Sequence, residues 1–486
     1  MNRRTFLKTA VMTTSVLGTT ACTVVPKKKK NVLFIAIDDL NDWIGCMRGH
    51  PNALTPNIDR LAARGTVFSN AHCQAPICGP SRASMMTGLL PSTTGIYGQI
   101  DDNDIRESHA TTRECIFLPD YFKQNGYKTM GIGKLFHHYA PDGLFDVSGG
   151  RARGFGPKPE KHMKWEGKSG INHGGTSTDW GPFPERDEEM PDYESAQWAK
   201  ARLAAQHDQP FFLAVGFLRP HVPWHVPKKW FDLHPADQLE LPPYLPTDMD
   251  DIPGIGKRIA ALPMMPTTKW AIQNDEWKNI VQAYLACISF VDHYVGEILD
   301  ALESSSYADN TTIVLWSDHG YHIGEKNRFG KHSLWEEATR APLIISDPDF
   351  QTPQTCNKPA GMIDIYPTLL DLCGLPKYLQ NQGHSLKPLL ANPNAAWPHA
   401  VVTTYGRNNH SLRGEHFRYI RYEDGSEELY DHRSDENEWE NLADKPGYET
   451  VKSIFRKKLP RVNETWSPKS RYDYNEYFIK QRRRES

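Results

Sequence analysis

Uninterrupted apolar runs recur along the chain. Asn31-Val32-Leu33-Phe34-Ile35-Ala36-Ile37 is the first, Phe211-Phe212-Leu213-Ala214-Val215-Gly216-Phe217 the second. Thr312-Ile313-Val314-Leu315-Trp316 and Pro342-Leu343-Ile344-Ile345 have the same character. None alternates apolar with polar, so each predicts a strand buried on both faces of a sheet. Amphipathic periodicity predicts helices over residues 58–63, 118–125 and 277–302. Strands alternating with helices point to an α/β fold with a mostly parallel sheet and helices on both faces.

Two stretches break this rhythm. Residues 140–190 are rich in Gly, Pro, Trp and charge, and residues 232–270 are rich in Pro. Loops this long are either functional or plain surface insertions, and both stretches are candidate walls of a pocket. After Pro393 the pattern changes again. Residues 400–404 read as a strand, and residues 416–422 and 428–431 flank Asp424-Gly425 as a hairpin. A helix over 447–459 completes a small antiparallel α+β subdomain. The expected division is a main domain over 31–395 and a C-terminal subdomain over 396–486.

Length supports two units, because 486 residues exceed what one compact core holds. A formal net charge of -3 gives no reason to expect nucleic acid as a partner. Residues 1–30 read as an export signal and spacer. Arg3-Arg4 precede an apolar stretch, the pattern of a twin-arginine signal, and Thr19-Thr20-Ala21-Cys22 resembles a lipoprotein cleavage site. The expectation is a periplasmic protein, or one held at the bacterial envelope by a lipid on Cys22. Lys27 to Lys30 form a solvated spacer. Beyond Cys22 and Cys78, six cysteines show no C-x-x-C spacing, which argues against zinc. An exported chain has room for one or two disulfides among them.

The candidate chemistry gathers near predicted strand ends. Asp38-Asp39 follow the first strand, and Ser317-Asp318-His319-Gly320 follow another. Adjacent acids at the carboxyl end of a parallel strand repel unless a cation is present, and hard oxygen ligands suit calcium or magnesium. Arg219-Pro220-His221 follows the strand that ends at Phe217, and His221 is a candidate general acid. Gly131-Ile132-Gly133-Lys134-Leu135-Phe136-His137 brings a lysine and a histidine together, with His138 as an alternative to His137. Lys331 lies in Gly330-Lys331-His332-Ser333, with Lys326, Arg328 and His332 as neighbours of similar chemistry.

The most specific segment is Cys78-Gly79-Pro80-Ser81-Arg82-Ala83-Ser84-Met85-Met86-Thr87-Gly88. It resembles the C-x-P-S-R…T-G signature of the formylglycine-dependent sulfatases. Thr55-Pro56-Asn57-Ile58-Asp59-Arg60-Leu61 and Asp364-Ile365-Tyr366-Pro367-Thr368-Leu369 are also similar to that family. The spacing between Lys134 and His137 is that of its iduronate-2-sulfatase-like branch. The resemblance implies an alkaline-phosphatase-like α/β domain and hydrolysis of a sulfate ester on a saccharide, with 2-O-sulfated uronic acid as the branch's substrate. It implies that a separate formylglycine-generating enzyme oxidises Cys78 to an aldehyde, whose hydrate attacks sulfur. Asp38, Asp39, Asp318, His319 and the modified Cys78 match the metal ligands, with Ca2+ as the ion; many relatives have Asn in place of His319. If Cys78 opens a helix, Arg82 shares its face and stabilises the nucleophile. Lys134 and Lys331 would bind sulfate, His221 would protonate the leaving alcohol, and His137 would promote sulfate release. Two other readings stay open: a formylglycine-dependent phosphodiesterase or phosphonate monoester hydrolase, and a surface sugar-binding protein with unmodified Cys78.

Overall fold

A computed structural model describes residues 29–151, 155–167 and 177–485. Residues 1–28 of the predicted export signal and spacer, with Cys22, lie outside these residues; Lys30, expected in a solvated spacer, is instead buried and paired with Asp347 and Asp349 at 2.6 and 2.8 Å, because it leads directly into the buried strand that follows. Eight strands make the central sheet: β1 (Asn31–Ile37), β2 (Thr66–Phe68), β3 (Lys128–Gly133), β4 (Val147–Gly150), β5 (Phe211–Phe217), β6 (Thr311–Ser317), β7 (Leu343–Ser346) and β8 (Gln354–Cys356). Their order is β8-β2-β7-β6-β1-β5-β3-β4. Every neighbouring pair is parallel except those of β7, which runs antiparallel to β6 and β2.

All residues of β1, β5 and β6 are buried, as their unbroken apolar runs require. The strand period of two sorts them onto two faces. Leu33, Ile35 and Ile37 face α1 (Pro56–Ala62), α4 (Pro191–Leu203) and the long α5 (Trp277–Glu303). Val32, Phe34 and Ala36 face α2 (Cys78–Thr87), α3 (Leu118–Gln124) and α6 (Ile365–Leu372). The result is the helix-covered, mostly parallel sheet predicted from the sequence.

A second sheet near the C-terminus is antiparallel throughout: β9 (Val401–Thr404), β10 (His410–Arg413), β11 (Phe417–Arg421) and β12 (Glu427–Asp431). On one face, Leu412, Tyr419 and Leu429 pack with Phe455 of α7 (Glu449–Arg456). On the other, Ile420, Tyr422 and Tyr430 share a cluster with Ile252, Ile255 and Ile259. Part of the Pro-rich 232–270 stretch is therefore packing between the two sheets rather than a pocket wall. A helix that the sequence reading did not anticipate, α8 (Glu476–Glu485), adds Phe478 to that cluster. Seven cysteines from Cys46 to Cys373 are free, so the disulfides for which there was room are absent among the described residues.

Candidate active site

β1, β3, β5 and β6 run the same way, so their carboxyl ends meet along one edge of the sheet. That edge receives Asp38-Asp39 from β1, Lys134 from β3, Arg219 and His221 from β5, and Asp318-His319 from β6. Asp39 has a left-handed backbone (φ 63°). Its amide donates to Asp318 Oδ1 at 3.2 Å, and its carbonyl accepts the Tyr284 hydroxyl at 2.7 Å. Cys78 is the buried first residue of α2. The Ser81 hydroxyl, one turn on, donates to the Asp318 carbonyl at 2.5 Å and ties this helix to the end of β6.

Cys78 Sγ lies 2.9 Å from Lys331 Nζ and 3.3 Å from His319 Nε2. Lys331 Nζ also donates to Asp39 Oδ1 at 2.6 Å. Burial would lower the Lys331 ammonium, but Asp39 and Cys78 hold it well above its usual range. Arg82 is wholly buried and turns to the acids: Nε pairs with Asp318 Oδ2 at 2.8 Å and Nη2 with Asp38 Oδ1 at 3.3 Å. Its remaining Nη1 donates to the Lys134 carbonyl. The contacts of Arg82 thus fix the carboxylates, and Cys78, four residues earlier on the same helix, is among the groups that act on its charge. Lys134 Nζ reaches Asp38 Oδ2 at 3.4 Å and the His137 carbonyl at 2.8 Å.

Three observations fit a hard cation at this point. Asp38 Oδ1, Asp38 Oδ2 and Asp39 Oδ2 are buried and accept no hydrogen bond, Asp38 facing Arg82 and Lys134 only through ion pairs of 3.3 and 3.4 Å. Burial, opposed by Lys331 and reinforced by Asp38, pushes Asp39 up to about 6. Burial likewise pushes Asp318 up to about 7 against the pull of Arg82. Finally, His319 Nδ1 sits 3.0 Å from the Gly320 carbonyl, which only accepts, so Nδ1 carries the proton. The Nε2 lone pair then points at Asp39 Oδ1 (3.4 Å) and Asp318 Oδ2 (3.6 Å). A lone pair facing carboxylate oxygens is repulsive unless a proton or a cation lies between them, and a cation suits the ionised acids. Ligand atoms of Asp38, Cys78, Asp318 and His319 all fall within 4.8 Å of one another.

The sulfatase family profile matches residues 30–375, and a profile for the C-terminal part of N-sulphoglucosamine sulphohydrolase matches residues 324–465. The chain belongs to the sulfatase family. A sulfatase from Formosa agariphila is 52% identical over 462 residues, which cover 94% of this chain and 91% of that protein. An iduronate 2-sulfatase from Mus musculus is 32% identical, covering 71% of this chain and 69% of its own. The fold is similar to that of a phosphonate monoester hydrolase from Silicibacter pomeroyi, with TM-score 0.71 and 20% identity over 90% of this chain and 97% of the other. The protein is thus a hydrolase of sulfate esters on an alkaline-phosphatase-like fold.

Around the sulfatase centre the histidines take distinct places. A ring nitrogen of His221 lies within 4.8 Å of Cys78 Sγ and of carboxylate oxygens of Asp38 and Asp39. Its Nδ1 meets the Val222 carbonyl at 2.6 Å, leaving Nε2 as the nitrogen that can accept and return a proton. Burial, then Lys331, holds His221 well below the usual imidazole range. His137 is half-buried with Nδ1 unpartnered, while His138 is exposed, which favours His137 of the two. Arg219 Nη1 donates to the His221 carbonyl at 3.2 Å and Nε to the His225 carbonyl at 3.0 Å, so it shapes the loop that carries His221.

Sequence reasoning missed Asp102, Arg151 and Phe155. Asp102 accepts the amides of His137, His138 and Tyr139 at 3.2, 2.6 and 3.1 Å and fixes the loop after Lys134. Nothing around Asp102 distinguishes it from its acidic neighbours. Arg151 and Phe155 come from the irregular 140–190 stretch, whose predicted place at the pocket they support: the Phe155 ring is 5.3 Å from that of His221.

Proposed function

We propose that this sulfatase removes the 2-O-sulfate of a uronic acid in a sulfated saccharide, such as a glycosaminoglycan or algal polysaccharide. The observation that carries the reaction is Cys78 buried at a helix start between Lys331, His319 and the buried carboxylates of Asp38, Asp39 and Asp318, three of whose oxygens accept no hydrogen bond. The uronate part is supported by the relatedness to iduronate 2-sulfatase. Converted to formylglycine by a maturation enzyme, Cys78 would supply a hydrated aldehyde as the oxygen nucleophile for sulfur. Calcium held by Asp38, Asp39, Asp318 and His319 would supply positive charge beside that oxygen and the sulfate. Export to the periplasm, or anchorage at Cys22, completes the reading.

The chain's own groups do the rest. Lys331 and Lys134 flank the nucleophile position and hold sulfate oxygens, and their charge offsets what develops as the ester bond breaks. Arg82 pairs with both Asp38 and Asp318 and holds them in place. His221 is neutral in the free site; an incoming anion favours its protonation at Nε2, from which it protonates the departing sugar oxygen. His137, with a free Nδ1, takes the proton during sulfate release.

Rates on three substrates test the reading: a 2-O-sulfated uronate, a 6-O-sulfated hexosamine and a matched phosphonate monoester. The 2-O-sulfate is expected to lead by about 10²-fold or more in kcat/KM, the scale set by misplaced polar groups in a buried site. A lead for the hexosamine discards the sugar assignment and keeps the sulfatase. A lead for the phosphonate discards both.

A further inference from the structure

We infer that Arg151 is the specificity residue that grips a carboxylate on the sugar ring bearing the sulfate, an inference that rests on the saccharide reading above. Arg151 directly follows β4. Its Nη1 donates to the carbonyls of His137 (2.8 Å) and His138 (3.0 Å). Its guanidinium lies 4.6 Å above the centre of the Phe155 ring. One edge of the group is therefore fixed by backbone and its flat face by an aromatic.

The other edge is unused. Nε and Nη2 of Arg151 are both buried and neither has a hydrogen-bond partner. These two nitrogens form the side of a guanidinium whose N–H bonds run parallel, spaced for the two oxygens of one carboxylate. Leaving such donors buried and unpaired is unfavourable, which is why a purely structural arginine is normally saturated. Arg418 shows the contrast, since its Nε, Nη1 and Nη2 all donate to partners within the chain. Among the described residues no carboxylate forms an ion pair with Arg151.

Position selects the ligand. Lys134 Nζ donates to the same His137 carbonyl as Arg151 Nη1, at the same 2.8 Å, which sets the two cations side by side. Phe155 lies beneath Arg151, 5.3 Å from Lys134 Nζ and 5.3 Å from the His221 ring. A sulfate held by Lys134 thus leaves the rest of its sugar facing Arg151. In a uronic acid sulfated at position 2, the carboxylate is borne by position 5, directly across the pyranose ring. One ring bridges the two cations, and the planar anion matches the free fork. A lysine at 151 would offer a point charge without that fork.

Binding tests this without turnover. The ligands are a 2-O-sulfated uronate and its carboxyl-reduced counterpart, titrated calorimetrically with calcium into protein whose Cys78 is left unconverted. The proteins are wild type, Arg151→Gln and Arg151→Lys. Wild type is expected to prefer the carboxylate by about 10- to 100-fold, the strength of a charged, two-pronged hydrogen bond. Arg151→Gln should bind both ligands as weakly as wild type binds the reduced one, and Arg151→Lys should recover part of the preference. The inference is overturned if wild type does not distinguish the ligands, if it binds neither, or if Arg151→Gln weakens both equally. Failure of the saccharide reading shows separately, as matured wild type that releases sulfate from other esters but not from either saccharide.

Discussion

Asp38, Asp39 and Asp318 are buried with Arg82, Lys134 and Lys331, and the balance among them sets how the site titrates. Without metal, burial raises Asp39 to about 6 and Asp318 to about 7. The folded, metal-free protein therefore keeps protons that the unfolded chain gives up near pH ~4, so these two groups cost stability as pH rises from about 4 to 7. Asp38 is held well below its usual range, by Lys134 and Arg82 against the effect of burial, and matters only at more acidic pH. Calcium, bound as proposed, would have to displace the protons on Asp39 and Asp318. The calcium-induced rise in Tm is thus expected to grow between pH 5 and about 7.5. Paired melting curves with calcium and with chelator check this; a calcium effect that is flat or shrinks with rising pH contradicts the assignment. Lys331 gives a second prediction at this scale. Lys331→Met removes the cation 2.9 Å from Cys78 Sγ and should lower kcat/KM by about 10² to 10³, the usual loss for one group stabilising developing charge.

The ends of β3 and β5 place Lys134 and His221, and two glycines let those strand ends close together. A Cβ on Gly133 would lie 2.0 Å from the Gly216 carbonyl oxygen, and Gly133 has φ +82°. Gly133→Ala is accordingly expected to cost about 2 kcal/mol or more, from the backbone conformation plus the clash. It should also reduce activity by displacing Lys134; urea unfolding and kcat/KM on one preparation check both effects. Legibility differs along this same sheet. β1, β5 and β6 are readable because burial on both faces demands unbroken apolar runs. β3 is Lys-Thr-Met-Gly-Ile-Gly, diluted by the glycines that the close approach requires, and β4 is half-exposed Val-Ser-Gly-Gly at the sheet edge. β7 reads as a buried strand, yet its antiparallel direction comes from the connection that feeds it and leaves no local trace. Site residues next to the readable strands share that clarity. Arg151 and Asp102 do not, because they act through tertiary hydrogen bonds from stretches without periodicity.

At the scale of the molecule, the two sheets are joined by buried ions as well as by the cluster around Ile252 and Tyr422. Arg418 pairs with both Glu336 and Glu438, and Arg413 Nε meets Glu336 Oε2 at 3.0 Å. Glu336 follows closely on Lys331, and the Tyr472 hydroxyl lies 2.7 Å from Nδ1 of His332, so the C-terminal part braces the segment that delivers Lys331. Arg418→Met removes the buried cation shared by Glu336 and Glu438, leaving the first with Arg413 and the second with His432, and should cost about 3 kcal/mol. A lowered urea midpoint together with reduced activity is the expected outcome; unchanged stability would show that the joint carries little. Sulfate hydrolysis here turns on Cys78. The direct measurement is sulfate release from a 2-O-sulfated uronate by protein co-produced with a formylglycine-generating enzyme, with the Cys78 peptide weighed in the same sample and Cys78→Ala as control. An aldehyde at Cys78, sulfate release, and loss of at least about 10³-fold in the alanine variant are expected. No sulfate release from any ester, with the aldehyde confirmed in place, would contradict this role of Cys78.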